Sequence, residues 1–154
     1  MHVAHILIVD DDEIIAEMAS QILMDAGHAS GWVPDGERAL ELLNWRRPDL
    51  LLLDQDMPGL TGAQVLRSLR SSAENYDLPV IMFTGISGIE DENAAFHNGA
   101  QAYLRKPFEP ETLLRQVEEV LTPRAERPRH LSLMDHLEQA TGRWRDAPSK
   151  RAVS

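Results

Sequence analysis

There is no cysteine in the 154 residues. Disulfides, thiol nucleophiles and cysteine-ligated metals are excluded together. Aromatic residues are scarce at 5 %, while 43 % of the chain is hydrophobic, so the core has to be built from aliphatic side chains. No apolar run reaches the length of a membrane span, and the first residues lack a signal-peptide pattern. These absences predict a cytoplasmic protein with no membrane partner. Phosphate-binding glycine loops of the Walker or GxGxxG type are missing too, which argues against a nucleotide-binding protein. Positive charge is thin over residues 1–121, with 8 Lys and Arg against 21 Asp and Glu. A body of that sign repels nucleic acid phosphate, so no direct DNA binding is expected of it. Residues 122–154 reverse the balance, with 7 against 4.

What is present is organised around Leu50-Leu51-Leu52-Leu53-Asp54. Four leucines bounded by the turn residues Gln55 to Gly59 read as a strand buried on both faces. An ionised carboxylate is too costly inside such a strand. Asp54 therefore belongs at its C-terminal end, where open α/β sheets place their ligand sites. Four more strands are predicted, over residues 5–9, 28–33, 79–84 and 100–104. Amphipathic helices fall between and after them. The first is capped by Asp12, has Ile14, Ile15, Met18, Ile22 and Leu23 at helical spacing, and stops at Gly27. The second presents Ala39, Leu40, Leu42, Leu43 and Trp45, and the third opens at Thr61-Gly62 with Val65, Leu66 and Leu69 inward. A short acidic helix over 90–98 ends at Asn98-Gly99, and the last starts near Pro110 with Leu113, Leu114, Val117, Val120 and Leu121 as its stripe. Strand and helix alternating five times imply a parallel sheet covered on both faces. From Thr122 a Pro- and Arg-rich linker leads to one short helix predicted over 131–140. The division is thus a domain over 1–121 and a tail over 122–154, too short for a core of its own.

The chemistry lies at the strand ends. Strand one runs into Asp10 and Asp11, strand three into Asp54, strand four into Thr84 and strand five into Lys106. In a parallel sheet all these ends share one edge, so the groups converge although they are distant in sequence. Three carboxylates together raise one another's pKa, and a hard divalent cation relieves that conflict. Mg²⁺ suits a few carboxylate oxygens and retained waters. A lysine and a hydroxyl alongside suit an anion rich in acceptor oxygens. The set describes a phosphoryl site, with Asp54 as the nucleophile that forms an acyl phosphate.

Residues 5–121 resemble the receiver domain of two-component response regulators. The resemblance is carried by Val9-Asp10-Asp11, by Asp54 with Met57-Pro58-Gly59, by Thr84-Gly85 and by Lys106-Pro107-Phe108, at the family's spacing. It implies a flavodoxin-like, doubly wound five-stranded sheet in the order 2-1-3-4-5 with five helices. It implies that Asp54 accepts a phosphoryl group from a sensor histidine kinase or phosphotransfer protein. Asp11, Asp54 and the backbone carbonyl of Asp56 would bind Mg²⁺, with Asp10 assisting through water. Lys106 and Thr84 would contact the phosphoryl oxygens, Thr84 and Tyr103 would form a switch pair, and the Lys106–Pro107 bond would be cis. Phosphorylation and dephosphorylation would be self-catalysed, with an output and possible homodimer surface over 90–121. Two positions depart from the common pattern. Asp56 places an acid two residues after the phosphoacceptor, and Thr61 stands where the family often has Asp, a swap that keeps an N-cap. Two other readings stay open at this point: the receiver part of a larger regulator with a C-terminal effector, and an aspartyl-phosphate phosphatase using Asp56.

Overall fold

The computed structural model describes residues 3–85 and 99–122. Five strands form one parallel sheet: β1 (His5–Val9), β2 (Ala29–Val33), β3 (Leu50–Asp54), β4 (Val80–Thr84) and β5 (Ala102–Arg105), in the order β2-β1-β3-β4-β5. The flavodoxin-like arrangement is the one the resemblance implied. Four helices lie among the described residues: α1 (Glu13–Asp25), α2 (Gly36–Leu43), α3 (Gly62–Arg70) and α4 (Pro110–Leu121). The helices expected over 90–98 and 131–140 fall outside the described residues.

β3 is central, and all five of its residues are buried. Alternation of side chains sorts the sheet into two cores. Leu7, Val9, Leu51, Leu53, Val80 and Met82 face one way and pack with α2 and α3. Ile6, Ile8, Leu50, Leu52, Ile81 and Phe83 face the other and pack with α1 and α4. Each fully buried aliphatic side chain contributes about 2 kcal/mol of transfer free energy. Local chemistry sets the helix ends. Asp12 caps α1 by accepting from the N–H groups of Ile14 and Ile15, at 3.0 and 3.3 Å. Gly27, at φ +98°, ends it, with its own N–H and that of His28 returning to the carbonyls of Met24 and Leu23. Thr61 and Gln64 form a reciprocal capping box at the start of α3.

Two expectations need correction. The buried face of α1 is Ala16, Ala19 and Leu23, whereas Ile14 is 68 % exposed and Met18 is exposed as well. Positions 16, 19 and 23 share one side of a 3.6-residue helix, and 14 and 18 lie on the other. Alanines let the helix backbone approach the sheet, so the larger aliphatics are turned outward. Trp45 is not on the apolar face of α2 but past its end at Leu43, and it is 82 % exposed. Strand edges also shift: β5 begins at Ala102 rather than at Ala100.

The contrast is testable by urea unfolding. Leu52→Ala should cost about 3 kcal/mol, as large-to-small changes in a closed core do, whereas Trp45→Ala should stay within about 0.5 kcal/mol of the parent.

Candidate functional site

Asp10, Asp54 and Lys106 stand at the C-terminal edge of the sheet because β1, β3 and β5 end there. Asp10 and Asp54 are buried, with Asp54 only 2 % exposed. Asp54 is fixed through its own strand and the loop that follows. The Gln55 N–H donates to the Phe83 carbonyl at 2.9 Å, and the Gly62 N–H returns to the Gln55 carbonyl at 3.0 Å. A Cβ at Gly62 would stand 2.4 Å from the Asp54 carbonyl oxygen, so only glycine lets α3 begin this close to the Asp54 backbone. Asp10 accepts the Asp12 N–H on Oδ1 at 2.9 Å, tying the acid to the first turn of α1.

Lys106 is set by its neighbours on both sides. Its N–H donates to the Thr84 carbonyl at 2.7 Å. The Lys106–Pro107 bond is cis, as the resemblance implied. Phe108 stacks on Phe83 with ring centroids 5.2 Å apart. The Lys106 ammonium, carried back over the site, lies 2.8 Å from Asp10 Oδ2 and donates to Asp54 Oδ1 at 3.1 Å. The Asp10 contact is an ion pair by proximity, and that oxygen has no well-aligned hydrogen bond. Burial pulls the Lys106 pKa down, but the closeness of Asp10 and the charge of Asp54 outweigh it and leave the net shift upward. Lys106 is therefore a fixed positive charge.

That one charge does not balance the acids. Burial first, then the Asp10 carboxylate, pushes Asp54 up to about 7, against the opposing pull of Lys106. Oxygens of Asp10, Asp11 and Asp54 lie within 4.8 Å of one another, with Asp11 exposed at the mouth. An all-carboxylate donor set with excess negative charge and an open side fits Mg²⁺, which binds through few protein oxygens and keeps its waters. Thr84 is buried, and its hydroxyl has no partner among the described residues. Tyr103 is buried opposite Met82 in the β4–β5 register, on the same sheet face as Thr84 by strand alternation. Asp56 is exposed in the loop after β3, and its carboxylate is not part of the acidic group.

The response regulator receiver domain matches residues 6–118. The chain belongs to the response regulator receiver family. Receivers of this family are signalling domains rather than metabolic enzymes. The chain is 38 % identical over 112 residues to the DNA-binding response regulator MtrA of Mycobacterium tuberculosis, covering 73 % of this chain and 48 % of MtrA. It is 37 % identical over 116 residues to RpaA of Synechocystis, a DNA-binding dual master transcriptional regulator, covering 75 % and 48 %. The chain thus spans about half the length of these curated relatives. Among solved structures, a response regulator of Chloroflexus aurantiacus is similar with a TM-score of 0.76 and 35 % identity, over 79 % of this chain and 100 % of that one. The chemotaxis response regulator CheY4 of Vibrio cholerae gives 0.73 and 34 %, over 78 % and 100 %.

The receiver edge also holds Trp32, a residue that no motif in the sequence singles out. The Trp32 indole N–H donates to the Asp10 carbonyl at 2.7 Å. No local pattern signals a contact across 22 residues; only the β1–β2 register brings it about.

The raised pKa of Asp54 sets a pH dependence. The fold holds its proton up to about 7, while the unfolded chain releases it near the ordinary value of 3.8. The stabilisation is complete below that lower value and is lost as pH rises through about 7. In EDTA the melting temperature should fall across this window, and Asp54→Asn should flatten the fall. Equal slopes in the two proteins would show that Asp54 ionises normally.

Proposed function

We propose that the chain is a phosphorylation-controlled switch in which Asp54 accepts a phosphoryl group from a phosphohistidine of a sensor kinase or phosphotransfer protein. The observation that carries this reading is the Lys106 ammonium held between Asp10 and Asp54. One Asp54 carboxylate oxygen attacks the phosphorus, the donor's phosphorus–nitrogen bond breaks, and the imidazole nitrogen keeps the electron pair and takes a proton from solvent. Mg²⁺, when bound, neutralises charge on the acids and on the transferring group. Asp11, Asp54 and the Asp56 backbone carbonyl would hold it, with Asp10 assisting through water. Lys106 exchanges its bond to Asp54 for one to a phosphoryl oxygen. The Thr84 hydroxyl, free of competing bonds among the described residues, donates to another.

In this reading the chain catalyses its own phosphorylation and dephosphorylation and acts in the cytoplasm. Movement of Thr84 toward the phosphoryl group opens room for Tyr103, and the packing beyond it shifts between two populations. The output surface, and a homodimer contact if one forms, lies over residues 90–121. The receiver occupies 1–121, with 122–154 as linker and tail. The length of the relatives supports a second reading, in which this receiver is the regulatory part of a longer protein with a C-terminal effector. No helix among the described residues is long and apolar enough to cross a membrane.

Intact-protein mass spectrometry after incubation with acetyl phosphate and Mg²⁺ tests the central step. One added phosphoryl group is expected on the parent, and none on Asp54→Asn or without Mg²⁺. An adduct that persists in Asp54→Asn would move the acceptor elsewhere.

A further inference from the structure

The β1–β2 ladder ends at the site's edge. The Asp10 N–H donates to the Val33 carbonyl at 3.2 Å, after which Pro34-Asp35-Gly36 turns the chain away toward α2. The Asp10 carbonyl, next in line, accepts from the Trp32 indole instead, and 2.7 Å is a short bond for an N–H donor. Trp32 pairs with Ile8 in the register, so its ring reaches two residues along β1 to do this. The carbonyl it holds belongs to the peptide that joins Asp10 to Asp11. Asp10 is anchored in three further ways: Oδ1 to the Asp12 N–H, Oδ2 beside Lys106, and its own N–H to Val33. Asp11 is exposed, and no side-chain hydrogen bond or ion pair to it is found among the described residues. Among the described residues its carboxylate is aimed by the backbone alone.

We infer that Trp32 is a positioning residue for the cation site: its indole N–H fixes the Asp10–Asp11 peptide and so orients the Asp11 carboxylate. The inference rests on the Mg²⁺ reading above and deepens it. A ligand group held by an outer hydrogen bond loses less orientational freedom when the ion arrives, and such supports commonly change metal affinity. Trp32 is 39 % exposed, more than a residue kept for core packing would be. Phenylalanine keeps most of its apolar surface while removing the donor.

The test is calorimetric titration of the full chain with Mg²⁺ alone, for the parent, Trp32→Phe, Asp11→Asn and the double variant. Trp32→Phe should weaken Mg²⁺ binding by about 10-fold, the low end for an outer-shell support. On the Asp11→Asn background the same change should cost almost nothing, because the indole acts through Asp11. Parent-like affinity in Trp32→Phe, or losses that simply add in the double variant, would overturn the role. A parent that takes up no Mg²⁺ would overturn the cation reading itself, and this inference with it. Should Trp32→Phe not fold, the indole N–H resonance of the parent decides. A Mg²⁺-dependent shift with the calorimetric midpoint supports the role, with exposed Trp45 as reference, and an unmoved resonance refutes it.

Discussion

The Lys106 ammonium stands 2.8 Å from Asp10 and 3.1 Å from Asp54, at a sheet edge where both acids are buried. Buried ion pairs are seldom a source of net stability, because desolvation offsets most of the attraction. The arrangement is better understood as a constraint. It brings two acids to one sheet edge, where burial and the Asp10 charge hold Asp54 short of full ionisation against the pull of Lys106. Lys106 is positioned by the Thr84 carbonyl and by Phe108 on Phe83, so the pair is built from β4 and the β5–α4 loop together. The Lys106 backbone is thus bonded to the end of β4, where Thr84 lies, and follows directly on β5, where Tyr103 lies.

The sheet is arranged to tolerate this concentration of charge. β3 is buried over its whole length, and its leucines fill both cores. Charged groups are confined to the edge beyond them. Gly62 lets α3 start against the Asp54 backbone, and Asp12 caps α1 two residues after Asp10. The acidic end of β1 runs directly into the start of α1, whose N–H groups and dipole favour negative charge, while a loop over residues 55–61 separates Asp54 from α3.

Much of this was legible in the sequence. The runs at His5–Val9, Leu50–Asp54 and Val80–Thr84 are apolar, β-prone and ended by polar groups, so strand identity and the shared edge follow from pattern and topology. Asp12 and Thr61 were readable as caps because capping is local. The α1 face was not readable. Ile14 and Met18 carry the stronger hydropathy, and the decision for Ala16 and Ala19 comes from how closely the helix can approach the sheet. Trp45 failed for a related reason: periodicity extended a helix that ends two residues earlier, at Leu43. The Trp32 contact depends on register between strands, and the need for glycine at 62 depends on a close approach in space. Neither leaves a mark at fixed spacing.

The measurement that bears most directly on the account is the unfolding free energy of Lys106→Met in EDTA at pH 8 and at pH 5. Removing the ammonium leaves Asp10 and Asp54 buried without a counter-charge. A loss of about 3 kcal/mol is expected at pH 8, the scale of breaking one side of a buried ion pair. Much of it should be recovered at pH 5, where Asp54, already pushed up to about 7, takes a proton. A variant as stable as the parent at pH 8, or a loss that does not change with pH, would contradict it.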